Sequence, residues 1–418
     1  MMSRLIQRLT KLLARLTIAK FKPKIIGVTG SVGKTSTKEA IYTLLATTKR
    51  VRRTAGNFNG ELGLPLTIVG DWSEEQLRPI ARDSKHISRF VKGLFFLRIF
   101  CIAAARLVLP RSWQTFPEVI VLEYGADKPG DLAYLTSIAR PDISVVTAVG
   151  DIPVHVQFYE SVESVTREKS HLIEVLPPEG TAVLNADDSR VFAMREKTKA
   201  SCMTYGFAGA ALMRISDFEN QYVTTATGAS KPTGALFKLN YGGASVAVRL
   251  NNTAGTSQVY AAAAAACVAV ASGLSLEQAA AGLAQYVPPP HRLHFLDGKG
   301  GVMLVDDSYN ASPLSMASAI AAVKDLPAKR KVAILGDMRE LGKFSEQAHQ
   351  QIGEMARGVF DVIIAVGEES KVMKADQWFS DAVSALEPVK QLVRSGDLVL
   401  VKASHSIGLD KIARALLP

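Results

Sequence analysis

Short apolar runs alternate with segments of helical spacing through the first half of this 418-residue chain. The runs predict strands at residues 24–29, 118–123 and 143–146, and the helical spacing predicts helices at 36–46 and 163–175. Strands that alternate with helices are typical of a parallel sheet covered on both faces. The pattern therefore predicts an α/β domain in this part of the chain.

The pattern changes in the second half. Residues 200–250 mix short Val and Leu runs with Gly, Ser and Thr, which predicts antiparallel strands, and an alanine-rich helix follows at 260–271. Three prolines at 288–290 give the strongest linker signal, after which strands and helices alternate again. We predict strands at 302–305, 331–335, 362–366 and 398–401, helices at 314–323 and 345–356, and a terminal helix.

These patterns divide the chain into three parts. A basic amphipathic helix is predicted at 1–23, and a central α/β domain with a parallel sheet at 24–287, with an insertion at about 78–113. A smaller, Rossmann-like α/β domain is predicted at 288–418. The length suits this division, since domains run to roughly 100–200 residues.

The net charge of +10 is unevenly distributed. Residues 1–24 carry seven basic side chains and no acid, and residues 78–111 carry eight with only Asp83 against them, so the rest of the chain is mildly acidic. The basic segments are aliphatic and no nucleic-acid reader motif is present, so we expect no nucleic-acid partner. The three cysteines are widely spaced, which argues against a disulfide scaffold or a zinc site.

The two basic segments raise the question of a membrane. Leucines recur at helical spacing in residues 1–24, which predicts an amphipathic helix without a signal-peptide cleavage site. Residues 90–109 are long enough to span a bilayer, but Lys92, Arg98 and Arg106 would each cost about 2.5–3.5 kcal/mol there. We expect a cytoplasmic protein whose basic helices either contact an anionic membrane at its inner face or a cell-wall complex, or pack on the protein with solvated basic faces.

The clearest chemical motif lies between the first strand and the first central helix. The sequence TGSVGKTS at 29–36 matches a G-x-x-G-K-T phosphate loop, with Val28 where the longer P-loop pattern has glycine. Such a loop directs backbone N–H groups at phosphate oxygens, with Lys34 at the β- and γ-phosphates and the Thr35 hydroxyl on Mg²⁺. The predicted nucleotide contacts are Gly30, Ser31, Val32, Gly33, Lys34, Thr35 and Ser36. The central domain is therefore predicted to be a P-loop ATPase domain.

A magnesium ion also needs carboxylate ligands. Glu123 ends a predicted strand, and strand ends are where open α/β sheets gather their ligands, so we expect Glu123 to bind Mg²⁺. A lone histidine such as His155 is by itself a weak indication, because most isolated histidines are structural.

Several further stretches, in a consistent order, resemble the Mur ligases, the ATP-dependent amide-forming enzymes of peptidoglycan precursor synthesis. The phosphate loop is followed by AGNFNGELGLP at 55–65, LNADD at 184–188, DDSYNASP at 306–313 and GDMRELG at 336–342. The resemblance covers roughly residues 24–418. It is strongest to the branch that joins D-Ala-D-Ala to a UDP-sugar tripeptide.

The resemblance implies an ADP-forming carboxylate–amine ligase. ATP would phosphorylate the terminal carboxylate of a UDP-MurNAc-tripeptide, and the amine of D-Ala-D-Ala would attack the acyl phosphate. It implies ATP and two Mg²⁺ ions as cofactors, the UDP-sugar peptide and D-Ala-D-Ala as substrates, and a monomer. Phosphoryl transfer depends mainly on positioning and charge neutralisation, which suits the residues present.

The resemblance also assigns roles to individual residues. Lys34 and Thr35 hold the phosphates and the metal, and Glu123 binds the same Mg²⁺. His155 lies near a second Mg²⁺, and Lys169 matches the lysine that family members carbamylate into a metal-binding group. The remaining nucleotide contacts implied by the resemblance are Asn185, Arg292, Asp307 and Asn310.

Two departures leave alternatives open. The family has a domain before the phosphate loop that holds the UDP-sugar; only about 24 residues precede the loop here, so we expect that domain to be lacking. Residues 255–258 (GTSQ) replace the G-x-H-N that is usual in the family, so we expect the contacts to the adenine of ATP to differ. The alternatives are a related ligase for another acid and amine, or a catalytically silent ATP-binding module. The retained site residues argue against a catalytically silent module: Lys34, Glu123, His155, Lys169 and Arg292.

Overall fold

The computed structural model describes residues 2–81, 84, 87–152, 158–228 and 230–418, so the predicted metal ligand His155 lies outside the described residues. The helices are α1 Met2–Phe21, α2 Lys34–Ala46, α3 Gly63–Val69, α4 Glu74–Leu77, α5 Arg89–Val108, α6 Asp131–Thr136, α7 Val162–Glu174, α8 Ser189–Ala193, α9 Thr256–Ala271, α10 Leu276–Leu283, α11 Pro313–Lys324, α12 Ser345–Arg357, α13 Ala382–Leu392 and α14 Asp410–Ala415. The strands are β1 Lys24–Thr29, β2 Val51–Arg53, β3 Val119–Glu123, β4 Ile143–Val146, β5 Thr181–Asn185, β6 Ser201–Gly206, β7 Met213–Thr224, β8 Ser230–Tyr241, β9 Ala244–Asn251, β10 His294–Asp297, β11 Met303–Asp306, β12 Arg330–Gly336, β13 Val362–Val366, β14 Gln377–Phe379 and β15 Asp397–Lys402.

The chain forms two compact units. The first comprises residues 1–148, 166–213 and 264–282, and the second comprises 149–165, 214–263 and 283–418. The predicted mixed α/β fold with two sheet-containing parts is confirmed. The domain limits predicted from the sequence, at residues 24 and 288, stay predictions.

Six parallel strands form the sheet of the first unit, in the order β2-β3-β1-β4-β5-β6. β1 is central: Val28 lies opposite Glu123 on β3 and opposite Val145 on β4. All five residues of β3 are buried, as expected for a strand covered on both faces. The carboxyl ends of β1, β3 and β4 therefore meet at one edge, where open α/β sheets bind ligands.

The predicted direction of the strand at residue 200 is wrong. The sequence pattern predicted antiparallel strands from residue 200, but β6 pairs in parallel with β5, with Tyr205 opposite Asn185. From β7 to β9 the pairing is antiparallel, as predicted, with Phe237 opposite Val248. A short strand's own residues do not record the direction of its partner, so the pattern could not separate β6 from the strands that follow.

The helix α1 packs on the first unit with an unexpected side. Its buried side carries Thr10, Ala14, Thr17 and Phe21, with Leu13 partly buried beside them, while four other leucines are exposed: Leu5, Leu9, Leu12 and Leu16. The two buried hydroxyls donate to carbonyls one turn earlier in the helix, at 2.9 Å and 2.8 Å, so they need no other partner. The side of α1 that packs on the core thus combines apolar residues with threonines bonded within the helix, and a stripe of four leucines stays exposed.

The helix α5 lies against α1 and α3 over the same core. Ile99 and Ala103 are its fully buried side chains, although it is the more apolar of the two helices. The ammonium of Lys20, near the end of α1, donates to the carbonyls of Arg106 at 2.7 Å and Leu107 at 3.0 Å. A cation at a helix C-terminus satisfies carbonyls that have no partner within the helix, so α1 stabilises the end of α5.

No helix in the described ranges combines the length and the apolar content that crossing a bilayer requires.

The second unit contains an antiparallel group, β7-β8-β9, and a six-stranded sheet in the order β10-β11-β15-β12-β13-β14. In that sheet β10 is antiparallel to β11 and the other pairs are parallel. Successive residues of β12 alternate between two buried clusters, with Ala333 and Leu335 on one face and Val332 and Ile334 on the other. Helices therefore cover both faces, as the Rossmann-like prediction required.

A buried histidine joins α12 to the end of β12. His349 is fully buried, and its Nε2 accepts the backbone N–H of Met338 at 2.9 Å. Nδ1 lies 2.7 Å from the carbonyl of Ser345, to which it donates. This pair of bonds requires the neutral imidazole, because a protonated Nε2 could not accept the Met338 N–H.

We expect this histidine to make the protein less stable in mild acid. Burial lowers the pKa of His349 from its ordinary 6.5, more than Asp337 and Glu369 nearby raise it. The unfolded chain therefore binds more protons below about pH 6.5, and the free energy of unfolding falls there by at most about 1.4 kcal/mol per pH unit. Denaturant unfolding between pH 5 and 7.5 measures this slope. The slope should shrink in His349→Gln and persist in His405→Gln, which alters an exposed histidine.

Candidate nucleotide and metal site

The predicted phosphate loop connects β1 to α2 at the ligand-binding edge of the sheet. α2 begins at Lys34, and Gly33 before it has a φ of 86°, a left-handed conformation that favours glycine. Below the loop, the Thr147 hydroxyl donates to the Val32 carbonyl at 2.5 Å, and the Ser31 N–H donates to the Ala148 carbonyl at 2.6 Å. The loop is thus held from the β4 side.

Gly30 leaves no room for a side chain. Its φ is 144°, and an added Cβ would lie 1.9 Å from the hydroxyl oxygen of Thr147. We expect Gly30→Ala to lower the free energy of unfolding by about 1–3 kcal/mol through strain and to weaken nucleotide binding by displacing the loop. Thermal melting with and without ATP measures both effects. Gly209→Ala is the control, since nothing lies within 4 Å of a Cβ there; an equal loss in both variants would contradict the steric argument.

Glu123 lies beside the start of α2. Its side chain is 1% exposed, and one carboxylate oxygen accepts the Thr35 hydroxyl at 3.0 Å while the other accepts the Asn59 amide at 2.9 Å. The structure therefore brings together the two residues that the sequence predicted as ligands of one Mg²⁺. Asn59 orients the carboxylate and belongs to the 55–65 motif, although the sequence did not single it out as a site residue.

Lys38 is a site residue that sequence reasoning missed. It is fully buried, and its ammonium donates to the carbonyls of Thr54 and Gly56, each at 2.7 Å. It also lies 3.8 Å from a carboxylate oxygen of Glu123. Lys38 therefore fixes the chain before Asn59 and partly neutralises Glu123. Nothing in its local sequence separates it from the solvated lysines common on helices.

Lys169 reaches the same loop from α7. It is 3% exposed, and its Nζ donates to the Gly30 carbonyl at 3.1 Å. Burial, reinforced by the positive charge of Lys34, lowers the pKa of Lys169 to about 7, against the opposing effect of Asp127 and Glu168. A large fraction of Lys169 is therefore a neutral amine near neutral pH. Lys34 itself donates to the Gly30 carbonyl at 2.7 Å.

Asn185 is the last residue of β5 in the first unit. Its amide oxygen accepts the N–H of Asp187 at 3.0 Å, and Asp187 in turn accepts the N–H groups of Phe207 and Ala208 at 2.7 Å and 2.8 Å. These bonds shape the turns after β5 and β6. The structure thus gives Asn185 a local structural contact, and its predicted nucleotide contact stays a prediction.

The remaining predicted residues lie in the second unit. The guanidinium of Arg292 stacks 4.2 Å above the ring of Tyr309. Asp307 accepts the N–H of Leu293 at 3.1 Å and pairs with Lys402 at 2.7 Å. Burial raises the pKa of Asp307, with Lys402 opposing that rise. Asp307 therefore fixes the chain next to Arg292.

Asn310 is exposed, and its side-chain oxygen accepts the N–H of Ala311 at 2.9 Å. The buried ammonium of Lys402 donates to the Asn310 carbonyl at 2.8 Å. Lys402 was not predicted as a site residue. It holds the 307–310 segment to the end of β15.

The site residues thus form two groups. In the first unit Lys34, Thr35, Glu123 and Lys169 surround the phosphate loop, and in the second unit Arg292, Asp307 and Asn310 share one strand end. Within the described residues, no group of three or more His, Cys, Asp and Glu side chains is arranged to hold a metal ion. In the first unit the Thr35 hydroxyl and the Glu123 carboxylate lie 3.0 Å apart, close enough to serve as two oxygen ligands of one metal ion.

Comparison with known proteins shows similarity to the Mur ligases over most of the chain. The model of the Mur ligase middle domain matches residues 28–73 and 106–269, and that of the Mur ligase glutamate ligase domain matches 291–405. The UDP-N-acetylmuramoyl-tripeptide–D-alanyl-D-alanine ligase of Mycobacterium tuberculosis (strain CDC 1551 / Oshkosh) is 31% identical over 94% of this chain and 72% of that protein. The enzyme of the same name from Bacillus subtilis (strain 168) is 28% identical over 97% of this chain and 78% of that protein.

Solved structures agree with these relatives. The MurF ligase from Thermotoga maritima in complex with ADP superposes with a TM-score of 0.78 at 27% identity, covering 98% of this chain and 83% of that one. MurF from Acinetobacter baumannii has the same TM-score at 25% identity, covering 98% and 80%. The resemblance inferred from the motifs is confirmed: the chain belongs to the Mur ligase family.

Proposed function

We propose that the protein is an ATP-dependent, ADP-forming ligase that joins the amine of D-Ala-D-Ala to the terminal carboxylate of a UDP-MurNAc-tripeptide. The observation that carries the proposal is the contact between Thr35 and Glu123 beneath a glycine-rich loop, with Lys169 on the same loop. The relatives named for this reaction, similar to more than nine-tenths of the chain, support the choice of substrates.

The loop fits a nucleotide phosphate. The buried hydroxyl of Ser31 has no hydrogen-bond partner among the described residues, and Gly30 has no space for a side chain. Both features suit a loop whose N–H and O–H groups close on phosphate oxygens. Lys34 begins α2, where its charge adds to the positive end of the helix dipole. We infer that Lys34 and the loop amides bind the β- and γ-phosphates.

The same edge fits Mg²⁺. Hard oxygen ligands are what this ion prefers, and the Thr35 hydroxyl and the Glu123 carboxylate lie within 3.0 Å of each other. When bound, Mg²⁺ would neutralise charge on the phosphates during transfer. Asn59 and Lys38 keep the Glu123 carboxylate in place for this role.

We propose that Lys169 is carbamylated. Only a neutral amine attacks the carbon of CO2, and the lowered pKa of Lys169 supplies that form near neutral pH. The new N–C bond releases a proton and turns a cation into an anion. A carbamate next to the phosphate loop would add oxygen ligands for a second Mg²⁺, with His155 as its predicted partner.

The residues of the second unit are proposed to complete the nucleotide contacts. Arg292 carries a guanidinium that can pair with phosphate oxygens. The guanidinium stacks on the ring of Tyr309, and Asp307 accepts the N–H of the next residue, Leu293. In acyl-phosphate formation such a cation offsets charge on the transferred group. Asn310 and Asn185 are proposed contacts of the nucleotide. A cytoplasmic location and a monomeric state are further proposals.

The experiment that tests the proposal is a substrate screen. The protein is incubated with ATP, UDP-sugar peptides, and either D-Ala-D-Ala or single amino acids, and amide products are identified by mass together with ADP. We expect a product only with a tripeptide donor and D-Ala-D-Ala. Products from another acid or amine would assign a different ligase reaction, and ADP formation that is absent or independent of the acceptor would contradict ligation.

A further inference from the structure

Two neighbouring helices of the first unit expose continuous apolar stripes. On α1 the stripe consists of leucines at helical spacing, and on α5 it consists of Phe90, Leu94 and Leu97 at that spacing, with Val108 about three turns further along the helix. We call these residues together the outward apolar face: Leu5, Leu9, Leu12 and Leu16 of α1, and Phe90, Leu94, Leu97 and Val108 of α5. Their exposed fractions run from 39% to 82%. Both stripes lie on the sides turned away from the core that the helices share.

The fold does not require this exposure. The opposite side of α1 is built on Thr10, Ala14 and Thr17, and that of α5 on Ile99 and Ala103, all fully buried. The exposed leucines of α1 keep 39% to 59% of their surface in water, so polar residues at these positions would remove only part of the packing of each side chain. Large exposed apolar patches in proteins mark interaction sites, so the outward apolar face has a partner.

The charges around the face identify the partner. Neither helix contains an acidic residue. Arg4, Arg8 and Arg15 are exposed on α1, and Arg89 and Arg98 are exposed on α5. Lysine and arginine beside an apolar stripe are typical of helices that lie in the interface of an anionic membrane. A protein partner would need an apolar groove bordered by acidic side chains. An anionic lipid bilayer has an apolar interior and a negatively charged surface, so it matches both the leucines and the arginines.

A tryptophan lies at the end of the second stripe. Trp113 follows α5 and is 76% exposed, and Arg111 beside it is exposed as well. Tryptophan is enriched at the boundary between lipid headgroups and acyl chains. A helix of 20 residues is about 30 Å long, so two such helices in one layer present a broad surface to the headgroup region.

We propose that the outward apolar face docks the protein on an anionic lipid bilayer, with α1 and α5 lying in the plane of the interface. The leucines and Phe90 enter the boundary of the acyl chains, and the arginines contact lipid phosphates. The ligand edge of the sheet is formed by other elements, so docking requires no change at the phosphate loop. The inference does not depend on the proposed reaction.

Flotation with vesicles tests the proposal. The full chain is mixed with vesicles of phosphatidylglycerol and phosphatidylcholine, or of phosphatidylcholine alone, at 50 and 500 mM salt. We expect the protein to float with anionic vesicles at low salt, and to bind at least tenfold less to neutral vesicles or at high salt. Trp113 emission should shift to the blue and be quenched by brominated acyl chains, and Trp113→Phe should remove the quenching.

Matched substitutions locate the surface. Leu12→Glu with Leu94→Glu should lower the vesicle partition coefficient at least tenfold, and Arg8→Gln or Arg15→Gln should each lower it about fivefold. Val383→Glu, on an exposed side chain of α13, is the control and should leave it unchanged. The double leucine variant, the two arginine variants and Val383→Glu should all keep the melting temperature and the ADP release rate of the unchanged protein.

The proposal fails if the folded protein stays at the bottom of the gradient with anionic vesicles at low salt. It also fails if binding is equal on anionic and neutral vesicles. The same holds if Val383→Glu lowers the partition coefficient as much as the double leucine variant does. The alternative is that a second copy of this chain covers the outward apolar face, and sedimentation equilibrium tests it. If the protein is a dimer that Leu94→Glu dissociates, and it does not bind vesicles, membrane docking is overturned.

Discussion

Replacing Lys34 by alanine is expected to lower the rate of ADP release at least about a thousandfold. The residue opens α2, half-buried, with its ammonium 2.7 Å from the Gly30 carbonyl, so its charge lies directly on the phosphate loop. Phosphoryl transfer concentrates negative charge on the transferred group, and a loop without this cation leaves that charge uncompensated. The measurement is steady-state ADP release with saturating substrates, alongside the melting temperature.

The matched control is Lys49→Ala, which removes a lysine just past the other end of α2, where its ammonium donates to the Ser272 carbonyl at 2.9 Å. It should keep nearly full turnover. Because Lys34 acts on the transition state, we expect the loss in Lys34→Ala mainly in kcat rather than in KM for ATP. Retained turnover in a folded Lys34→Ala protein would refute the assignment of the site.

Replacing Lys169 by alanine is expected to lower kcat at least about a hundredfold, with partial recovery in acetate or propionate. A carbamate is an anionic oxygen donor, and a small carboxylate can enter the space left by the truncated side chain and supply the same oxygens. Degassed, CO2-free buffer should lower the activity of the unchanged protein and bicarbonate should restore it. The measurement is ADP release at fixed ionic strength.

The pH dependence has a definite sign. Lys169 has its pKa lowered from 10.5 to about 7, so the neutral amine that reacts with CO2 grows as the pH rises through 7. Recovery after CO2 removal should therefore be faster at pH 8 than at pH 6. Lys197→Ala, which removes a half-exposed lysine of the same unit, should show no response to carboxylates. An inactive Lys169→Ala protein that no carboxylate rescues would contradict the carbamate.

Much of the ATP site follows from local pattern. The strand before the loop and the helix after it lie within two residues of their predicted limits, because an apolar run ended by Gly30 and Gly33 has few alternative structures. The position of Glu123 beside Thr35 follows from a general property of parallel sheets, whose carboxyl ends share one edge. These are features that nearby residues and topology determine together.

The parts that escaped prediction depend on distant contacts. Lys38 has the local sequence of a solvated lysine, and its burial depends on carbonyls 16 and 18 residues away. β10 begins with His294 and ends with Asp297, and the three-residue β14 begins with Gln377, so neither strand forms an uninterrupted apolar run in the sequence. The orientation of α1 is a third case: its pattern predicts an amphipathic helix, but only the packed structure shows that the threonine side is inside.

The contact between Lys20 and the end of α5 affects how this protein can be trimmed for crystallisation. A chain shortened to begin at Lys24 would lose the exposed leucines, but it would also lose Phe21, whose ring stacks on Phe116 with centroids 4.1 Å apart. It would remove the ammonium that two carbonyls of α5 share with the carbonyl of Leu109, just after the helix. The shortened protein would therefore gain a frayed apolar helix in place of a well-anchored one. Charged substitutions at the outward leucines improve solubility without this penalty, because they leave both anchors intact.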